Sequence, residues 1–331
     1  MRLIHIEEYN ESSMILGKPI YDAKKRILLA QGQRIHYKLL ERLKLLGISY
    51  LFVEDYESKG ITLEEMMDIP TWLDVITIVQ DFFASVQSNK PLPFKDILLA
   101  AGKLIKEILS RPVVAPVPTS TIASELQLYA HSVNVAILCL QIGKSAGFSE
   151  LQLRDLSVGA LLHDIGKIAA KNSDRHAEAG FEILRKIREM NLVSAHMAFQ
   201  HHETLDGQGF PRGIKGEAFH PYAQICSLAN RYEHLISDDN CVQPHEALEI
   251  LMTLSDKAFS IQYLQAFMKA IPLYLPGTKI RLSNGEQAIV TRIQENFQRP
   301  YIRYTTNLQE ISLVDHPNIV IHEAIHETAS V

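Results

Sequence analysis

The run Val158-Gly159-Ala160-Leu161-Leu162-His163-Asp164-Ile165-Gly166-Lys167 decides how the rest of the sequence is interpreted. Its apolar part predicts a buried helix that ends at or near Gly166, because glycine favours helix C-termini. An adjacent imidazole and carboxylate, His163 and Asp164, on the last turn of such a helix form a compact pair of metal ligands. The pair alone is weak evidence for a metal site.

Histidines on both sides of this pair strengthen the case. His131 lies on the preceding predicted helix, His176 lies on the following one, and His201 and His202 open the run HHETLDGQGFP. Five imidazoles and one carboxylate exceed the needs of one tetrahedral ion and suit two ions that share a bridging carboxylate. Burying these groups without a cation would leave several of them unpaired. Ordinary core imidazoles are expected at His196, His220, His234 and His245.

With these residues in place, the sequence from about residue 120 to 325 resembles the HD-GYP family, metal-dependent phosphodiesterases of bacterial cyclic dinucleotides. The two motifs stand about as far apart as in that family. The resemblance implies that Asp164 bridges two divalent ions. The remaining ligands would be His131 and His163 for one ion, and His176, His201 and His202 for the other. These ligand types fit iron, manganese or zinc, and the resemblance favours iron, then manganese.

The resemblance also implies a reaction. In the family, the two ions activate a bridging hydroxide for in-line attack on a phosphodiester. Asp164 and Lys167 are the candidate catalytic residues, with Lys167 adding positive charge beside the phosphate. A solvated lysine at a helix end is the alternative interpretation. The glycine-rich loop after His202 would form part of the substrate wall, with a plain turn as its alternative. The candidate substrate contacts are Lys167, Gly209, Phe210, Arg212 and Lys215.

Several positions depart from the family pattern. Phe210 stands where the family has tyrosine, so the ring is kept and the hydroxyl is lost. Asn230, at the position of a metal-binding aspartate, remains a candidate ligand but a poorer one, and Gln127 replaces a glutamate that helps some members hold a third ion. The segment 239–243 lacks the family's arginines, and the short segment between Lys167 and His176 predicts an open site.

Three functional hypotheses follow from these residues. The leading one is a cytoplasmic cyclic di-GMP phosphodiesterase with a two-metal site, acting on cyclic di-GMP or a related cyclic dinucleotide. The alternative is a degenerate, weakly active or inactive HD-GYP-like module that binds metal and nucleotide in signalling. The third is a nucleotide phosphohydrolase of the broader HD superfamily. Phe210 and Asn230 favour the degenerate module, whereas the intact histidine and aspartate motifs favour the enzyme.

Composition and net charge limit the kinds of partner that the protein can have. The chain has 331 residues, 47% of them hydrophobic and 21% charged, which is typical of a folded, water-soluble protein. A net charge of −5 argues against long nucleic acid as a partner. There is no run of eighteen apolar residues, and the start turns acidic at Glu7-Glu8, so neither a membrane span nor export is expected. Cys139, Cys226 and Cys241 have no metal-like spacing and are assigned no chemistry, and Cys139 and Cys226, in apolar helical runs, are expected to be buried reduced thiols.

The predicted fold class is mainly α. Helical periodicity over much of residues 119–271 predicts a bundle with inward-pointing ligands, and Asn284-Gly285 between two strand-like runs predicts a short C-terminal β-hairpin. We expect a small α/β regulatory module at 1–60, and connecting helices with a proline-rich linker at 61–118. The metal-binding domain with its C-terminal strands would occupy 119–331. The connecting helices are candidates for a homodimer contact, and a signalling protein is the other candidate partner.

Overall fold

Two units divide the chain in the computed structural model, which describes residues 1–22, 24–170, 175–237, 242–294 and 296–325. The terminal unit combines Met1–Met66, Pro118–Gln127 and Pro272–Val331. The helical unit combines Met67–Val117 and Leu128–Ile271. This grouping differs from the three consecutive segments expected from the sequence, because the two ends of the chain share one unit.

The N-terminal part of the terminal unit is a small mixed structure. Its elements are β1 (Arg2–His5), β2 (Ile15–Leu16), β3 (Ile20–Tyr21), β4 (Ile27–Leu29), α1 (Tyr37–Leu45) and β5 (Tyr50–Glu54). β1 and β2 flank β5 in an antiparallel sheet, and β3 pairs with β4. Leu43 of α1 packs with Ile4 and Val53 of this sheet in one apolar cluster, as the periodicity of the helix predicts.

The C-terminal part of the terminal unit is an antiparallel sheet. Its strands are β6 (Lys279–Leu282), β7 (Gln287–Arg292), β8 (Tyr301–Tyr304), β9 (Glu310–Ser312) and β10 (Ile321–Ala324), in the order β10-β6-β7-β8-β9. The predicted hairpin is β6–β7, whose turn contains Gly285 at φ +85°. The sheet extends well beyond the hairpin that the sequence predicted.

The helical unit holds nearly all the longer helices. They are α2 (Ile69–Gln87), α3 (Phe94–Ser110), α4 (Ser124–Ser145, in this unit from Leu128), α5 (Glu150–Leu162), α6 (His176–Leu184), α7 (Leu192–Gln200), α8 (Pro221–Ser237), α9 (Pro244–Thr253) and α10 (Ile261–Ala270). The mainly α fold class is therefore confirmed, with small sheets contributed by both ends of the chain.

Local sequence fixes where these helices begin. Ser149 and Gln152 form a reciprocal capping box at the start of α5, and the Asn191 side chain accepts from the Val193 amide, 3.0 Å away, at the start of α7. The last two turns of α5 are buried throughout, since Leu156 and every residue from Ser157 to Leu162 are buried. α5 is thus a central helix, and its C-terminal end delivers His163 and Asp164 into the interior.

Two helices, α2 and α4, are long and apolar enough to cross a membrane by length and composition alone. The most apolar window of α4 is 83% buried inside the fold and that of α2 is 39% buried. On α2 the buried side chains include Trp72, Val79 and Phe82, which face the protein interior. Core helices meet the same criterion, and packing within the fold accounts for the apolar character of α4.

Candidate metal centre

Three helix ends and one helix interior supply the predicted ligands. His131 lies within α4, and His163 and Asp164 directly follow α5, where the chain enters a short 3₁₀ turn over Ile165–Ile168. His176 is the first residue of α6. His201 and His202 directly follow α7. His163, Asp164 and His201 are at most 1% exposed, so the candidate site is a buried polar cluster.

Asp164 lies at the centre of this cluster. Its Oδ2 atom is 3.6 Å from His131 Nε2 and 3.5 Å from His163 Nε2. Its Oδ1 atom is 3.6 Å from both His176 Nε2 and His201 Nε2. Each carboxylate oxygen therefore faces a different pair of imidazoles, which is the arrangement that a bridging ligand requires.

These separations are too long for hydrogen bonds. Within the described residues, His131 Nε2, His163 Nε2 and Asp164 Oδ1 are buried and have no hydrogen-bond partner. Two donors that each lie about 2.1 Å from one ion, at a tetrahedral angle, are about 3.4 Å apart. The observed spacing and the buried atoms without partners fit divalent cations.

Among the described residues, the potential ligand atoms fall into three groups, with the atoms of each group within 4.8 Å of one another. The first is His131, His163 and Asp164, the second is His176, His201 and His202, and the third is His131, Glu233 and His234. His176 Nε2 is 3.2 Å from His201 Nε2 and 3.1 Å from His202 Nε2. Three ring nitrogens that meet in this way need a shared proton or a cation between them.

Hydrogen bonds to the backbone determine which ring nitrogen of His163 and His201 can bind a metal ion. His163 Nδ1 lies 2.8 Å from the Ala160 carbonyl oxygen, and His201 Nδ1 lies 3.0 Å from that of Ala198. A carbonyl can only accept, so Nδ1 carries the proton in both rings. The lone pair of Nε2 then points into the site, as in metal-binding histidines.

Burial controls the charge of the cluster. Burial lowers the pKa of His163 to about 4 and, together with neighbouring His176, the pKa of His202 to about 3. Burial by itself would raise the pKa of Asp164, but His163, Lys167 and His131 hold it well below its ordinary value. Near neutral pH the site thus presents a carboxylate with neutral imidazoles at His163 and His202, which are the protonation states that metal binding requires.

Lys167 lies beside the same carboxylate. Its Nζ atom is 2.5 Å from Asp164 Oδ2, and its side chain is 30% exposed. The cation therefore lies at the border between the buried cluster and solvent, where an anionic ligand can reach it. That Lys167 adds positive charge beside a phosphate stays a prediction.

Close backbone packing places His176. A Cβ atom built on Gly166 would lie 1.9 Å from the carbonyl oxygen of His176 and 2.6 Å from the amide nitrogen of Gly180. Only glycine permits this approach between the 3₁₀ turn and the start of α6. The glycine that the sequence assigned to helix termination also brings the two halves of the centre together.

The glycine-rich loop folds against the second group of histidines. Phe210 stacks on the His202 ring, with ring centroids 4.4 Å apart and an interplanar angle of 17°. The Phe210 amide donates to the His202 carbonyl oxygen at 3.1 Å, and the Phe210–Pro211 peptide bond is cis. A Cβ atom on Gly209 would lie 2.4 Å from Glu203 Cα, so the loop lies directly on the chain that leaves α7.

Glu203 holds this loop, a role that the sequence interpretation missed. Its side chain is 1% exposed and accepts from the backbone amides of Arg212, at 2.8 Å, and Ile214, at 3.1 Å. Gly209 and Phe210 consequently lie beside the centre. The side chains of Arg212 and Lys215 are exposed, and their part in substrate binding stays a prediction.

Helix α8 contributes two further polar residues. Asn230 is 5% exposed, and within the described residues its Oδ1 atom is buried without a hydrogen-bond partner. Glu233, one turn later, is 1% exposed and contacts His131 Nδ1 through Oε2. The sequence interpretation did not assign Glu233, although its spacing of three residues from Asn230 places both on one helix face.

Gln127 and two loop segments were the other predicted departures from the family pattern, and the structure describes only Gln127 in full. Gln127 donates to the Gly47 carbonyl oxygen at 3.2 Å, within the terminal unit. Residues 171–174 and 238–241 lie outside the described residues. The expectations about the short segment before His176, about Cys241 and about most of the segment 239–243 therefore have no structural counterpart here.

A comparison with protein families matches part of the helical unit. Residues 128–235 match the model of the HD domain, and this stretch contains the whole His/Asp cluster described above. The fold is similar to that of a solved protein from Bdellovibrio bacteriovorus described as HDG"Y"P, with a TM-score of 0.53, 18% identity and coverage of 80% of this chain and 97% of that one.

Curated relatives point to the same group. The chain is 27% identical to a cyclic di-GMP phosphodiesterase of Pseudomonas aeruginosa over 50% of this chain and 45% of that one. It is 28% identical to a cyclic di-GMP phosphodiesterase of Thermotoga maritima over 44% of this chain and 45% of that one. Residues 128–235 thus match the HD domain, and the resemblance of the chain to the HD-GYP family is confirmed. It spans less than half the length of these two relatives.

Proposed function

We propose that this protein is a metal-dependent phosphodiesterase that hydrolyses a cyclic dinucleotide, with cyclic di-GMP as the substrate and the cytoplasm as its location. The observation that carries the proposal is the buried centre, where Asp164 lies within 3.6 Å of four imidazoles. Among the residues that the structure describes, His131 Nε2, His163 Nε2 and Asp164 Oδ1 have no hydrogen-bond partner there. The names of the curated relatives supply the substrate class, since both are cyclic di-GMP phosphodiesterases.

Six side chains would hold two divalent ions, with iron favoured over manganese and zinc. One ion would be bound by His131, His163 and Asp164, and the other by His176, His201, His202 and Asp164. When bound, two such ions lower the pKa of a shared water and hold the phosphodiester oxygens for in-line attack. Asn230 would be a weak additional ligand, because an amide oxygen carries no net charge.

The chain's own residues prepare the site. Asp164 holds its negative charge at the centre of the cluster, and Lys167, 2.5 Å from it, offers a positive charge at the solvent border. There it would bind a phosphate oxygen and favour the extra negative charge that develops during attack. Phe210 covers His202 with its ring face and thereby excludes water from one side of the centre.

A second candidate function is supported by two specific residues. Phe210 has no hydroxyl to orient a phosphate or a water, and Asn230 has no charge to help hold an ion. A module that binds metal and nucleotide without turnover would tolerate both. The enzyme is preferred because the six ligands and Lys167 are all present and gathered at one place.

Phe210→Tyr tests the two candidates. If only a donor is absent, the native protein should hydrolyse cyclic di-GMP slowly to the linear dinucleotide, and the tyrosine variant should raise kcat with little change in substrate affinity. A donor that acts on developing charge is worth on the order of 10²–10³ in rate, and less if it only orients a water.

The measurement pairs turnover by chromatography with substrate binding by calorimetry, on protein purified without air and assayed for metal. Phe199→Tyr is the matched control, because it adds a hydroxyl to a half-buried ring that stacks on Phe181 instead of on His202. Its turnover should equal that of the native protein. Fully metallated native and Phe210→Tyr proteins that bind cyclic di-GMP without turning it over would establish the binding module.

A further inference from the structure

The buried carboxylate of Glu233 has no role in the function proposed above, yet it touches the metal centre. It projects from α8, is 1% exposed and contacts Nδ1 of His131, which is 102 residues away in sequence. His131 presents its other nitrogen, Nε2, to Asp164 at 3.6 Å. The His131 ring therefore lies between two carboxylates, one at the centre and one behind it.

Hydrogen bonds fix the carboxylate behind the ring. Glu233 Oε1 accepts from Ser237 Oγ at 2.8 Å and from Asn134 Nδ2 at 3.3 Å, while Oε2 faces His131. Both carboxylate oxygens are thus engaged. Glu233 is held by its own helix and by α4, so its position does not depend on a bound ion.

Asn134 is anchored in turn. Its Oδ1 atom accepts from the indole N–H of Trp72 at 3.0 Å, and its Nδ2 atom also donates to the Val117 carbonyl oxygen at 2.9 Å. Because an indole N–H can only donate, the amide must present its nitrogen to Glu233. A chain of defined donors and acceptors therefore runs from Trp72 on α2 through Asn134 and Glu233 to His131.

We propose that Glu233 is a positioning residue that orients His131 for metal binding and supplies a negative charge behind the His131 ring. An ionised carboxylate only accepts, so its contact keeps a proton on His131 Nδ1 and leaves the Nε2 lone pair for an ion. The charge matters here because Asn230, one turn earlier on α8, contributes only a neutral amide. The inference rests on the proposed metal binding and is independent of the substrate.

Glu233→Gln tests this role while keeping the size of the side chain. The amide loses the charge and can donate to His131 Nδ1, which would move the ring proton to Nε2 and block the ligand position. Loss of a carboxylate that hydrogen-bonds to a metal-binding histidine typically weakens metal binding by about 10–100-fold. We expect that decrease for Mn²⁺ at the site that contains His131, measured from the free Mn²⁺ signal in electron paramagnetic resonance titrations.

A double-mutant cycle separates positioning from general stability. In the His131→Ala background, which should hold one ion, adding Glu233→Gln should change the Mn²⁺ affinity of the remaining site by less than about twofold, because the partner of Glu233 is gone. An equal weakening with and without His131 would overturn the inference. Unchanged affinity in Glu233→Gln alone would also overturn it.

A second variant covers the case in which Glu233→Gln does not fold, as judged by circular dichroism. Glu233→Asp keeps the charge but withdraws it by one methylene, so its Mn²⁺ affinity should fall below that of the native protein, by less than the factor of about 10–100 expected when the partner is lost. Native affinity in the aspartate form would contradict the inference. Native protein that binds no Mn²⁺ overturns both proposals, whereas the expected affinities without cyclic di-GMP turnover support Glu233 and reject only the phosphodiesterase.

Discussion

Replacing Gly166 with alanine is the most direct test of how the fold assembles the centre. The new Cβ atom would lie 1.9 Å from the carbonyl oxygen of His176 and 2.6 Å from the amide nitrogen of Gly180. Both atoms belong to the backbone of α6, so no side-chain rotation relieves the overlap. To restore an ordinary contact of 3.4 Å from 1.9 Å, the turn and the helix must separate by about 1.5 Å.

That displacement is large compared with what a metal site tolerates. Ligand distances hold to within about 0.2 Å in functional sites, and a misplacement of about 1 Å can cost on the order of 10² in rate. Overpacking of this kind costs about 1–3 kcal/mol in the free energy of unfolding. For a unit of this size the melting temperature should fall by about 2–12 °C. His176 should leave the reach of Asp164, so the ion bound by the second group of histidines should be lost.

Gly102→Ala is the matched control, since it makes the same chemical change on the exposed face of α3, where nothing lies within 4 Å of the new atom. It should be neutral or stabilising by up to about 1 kcal/mol, because alanine favours a helix over glycine. Thermal unfolding and metal content by mass spectrometry should be measured for both variants and the native protein. A Gly166→Ala protein with native melting temperature and native metal content would refute the packing argument.

Three further outcomes are expected. Asp164→Ala should abolish binding of both ions, whereas His131→Ala should abolish binding of mainly one. Elemental analysis measures the metal content, and two ions per chain in the Asp164→Ala protein would exclude the bridging role. Asn230→Asp should slow metal loss to a chelator, since it adds a negative charge beside the ions, and an unchanged rate would mean that Asn230 does not face them. In metal-free protein, the free energy of unfolding should fall as the pH drops from about 6.5 to about 4. In the folded protein, burial lowers the pKa of His163 to about 4 and that of His202 to about 3. Histidines in the unfolded chain bind protons at a higher pH than these two do, so protonation favours unfolding over this range. A melting temperature that is flat over this range would contradict the assignment of these two histidines as buried and neutral.

Local sequence signals predicted the elements well. Helix α5 ends at Leu162, close to the end that the sequence predicts at or near Gly166, and Gly285 turns the C-terminal hairpin where Asn284-Gly285 predicts it. These signals act through neighbouring residues, so they can be seen without knowledge of the fold. The same holds for the His/Asp set, because histidines on apolar helical faces must point inward and therefore converge. The structure brings them together, while their binding of metal stays a prediction.

Contacts between distant residues were not predictable in this way. Glu233 and Glu203 would be assigned to the surface from their residue type, since glutamate is almost never fully buried unless it is paired. Their partners are a histidine 102 residues away and two backbone amides of a loop, which no local pattern reveals. The composition of the terminal unit was not predictable for the same reason. It depends on contacts between distant residues, such as the hydrogen bond that Glu65 accepts from the Ile293 amide across 228 residues.

The terminal unit also has a consequence for the order of folding during synthesis. Lys279 pairs with Glu57, and Arg303 donates to the Lys59 carbonyl oxygen at 2.9 Å. During synthesis, residues near position 60 therefore cannot form these contacts until the ribosome has added more than 200 further residues. At ordinary elongation rates, that interval is on the order of 10–40 s. The helical unit is synthesised entirely within it. The helical unit with the candidate metal centre can therefore fold first, and the terminal unit is completed last.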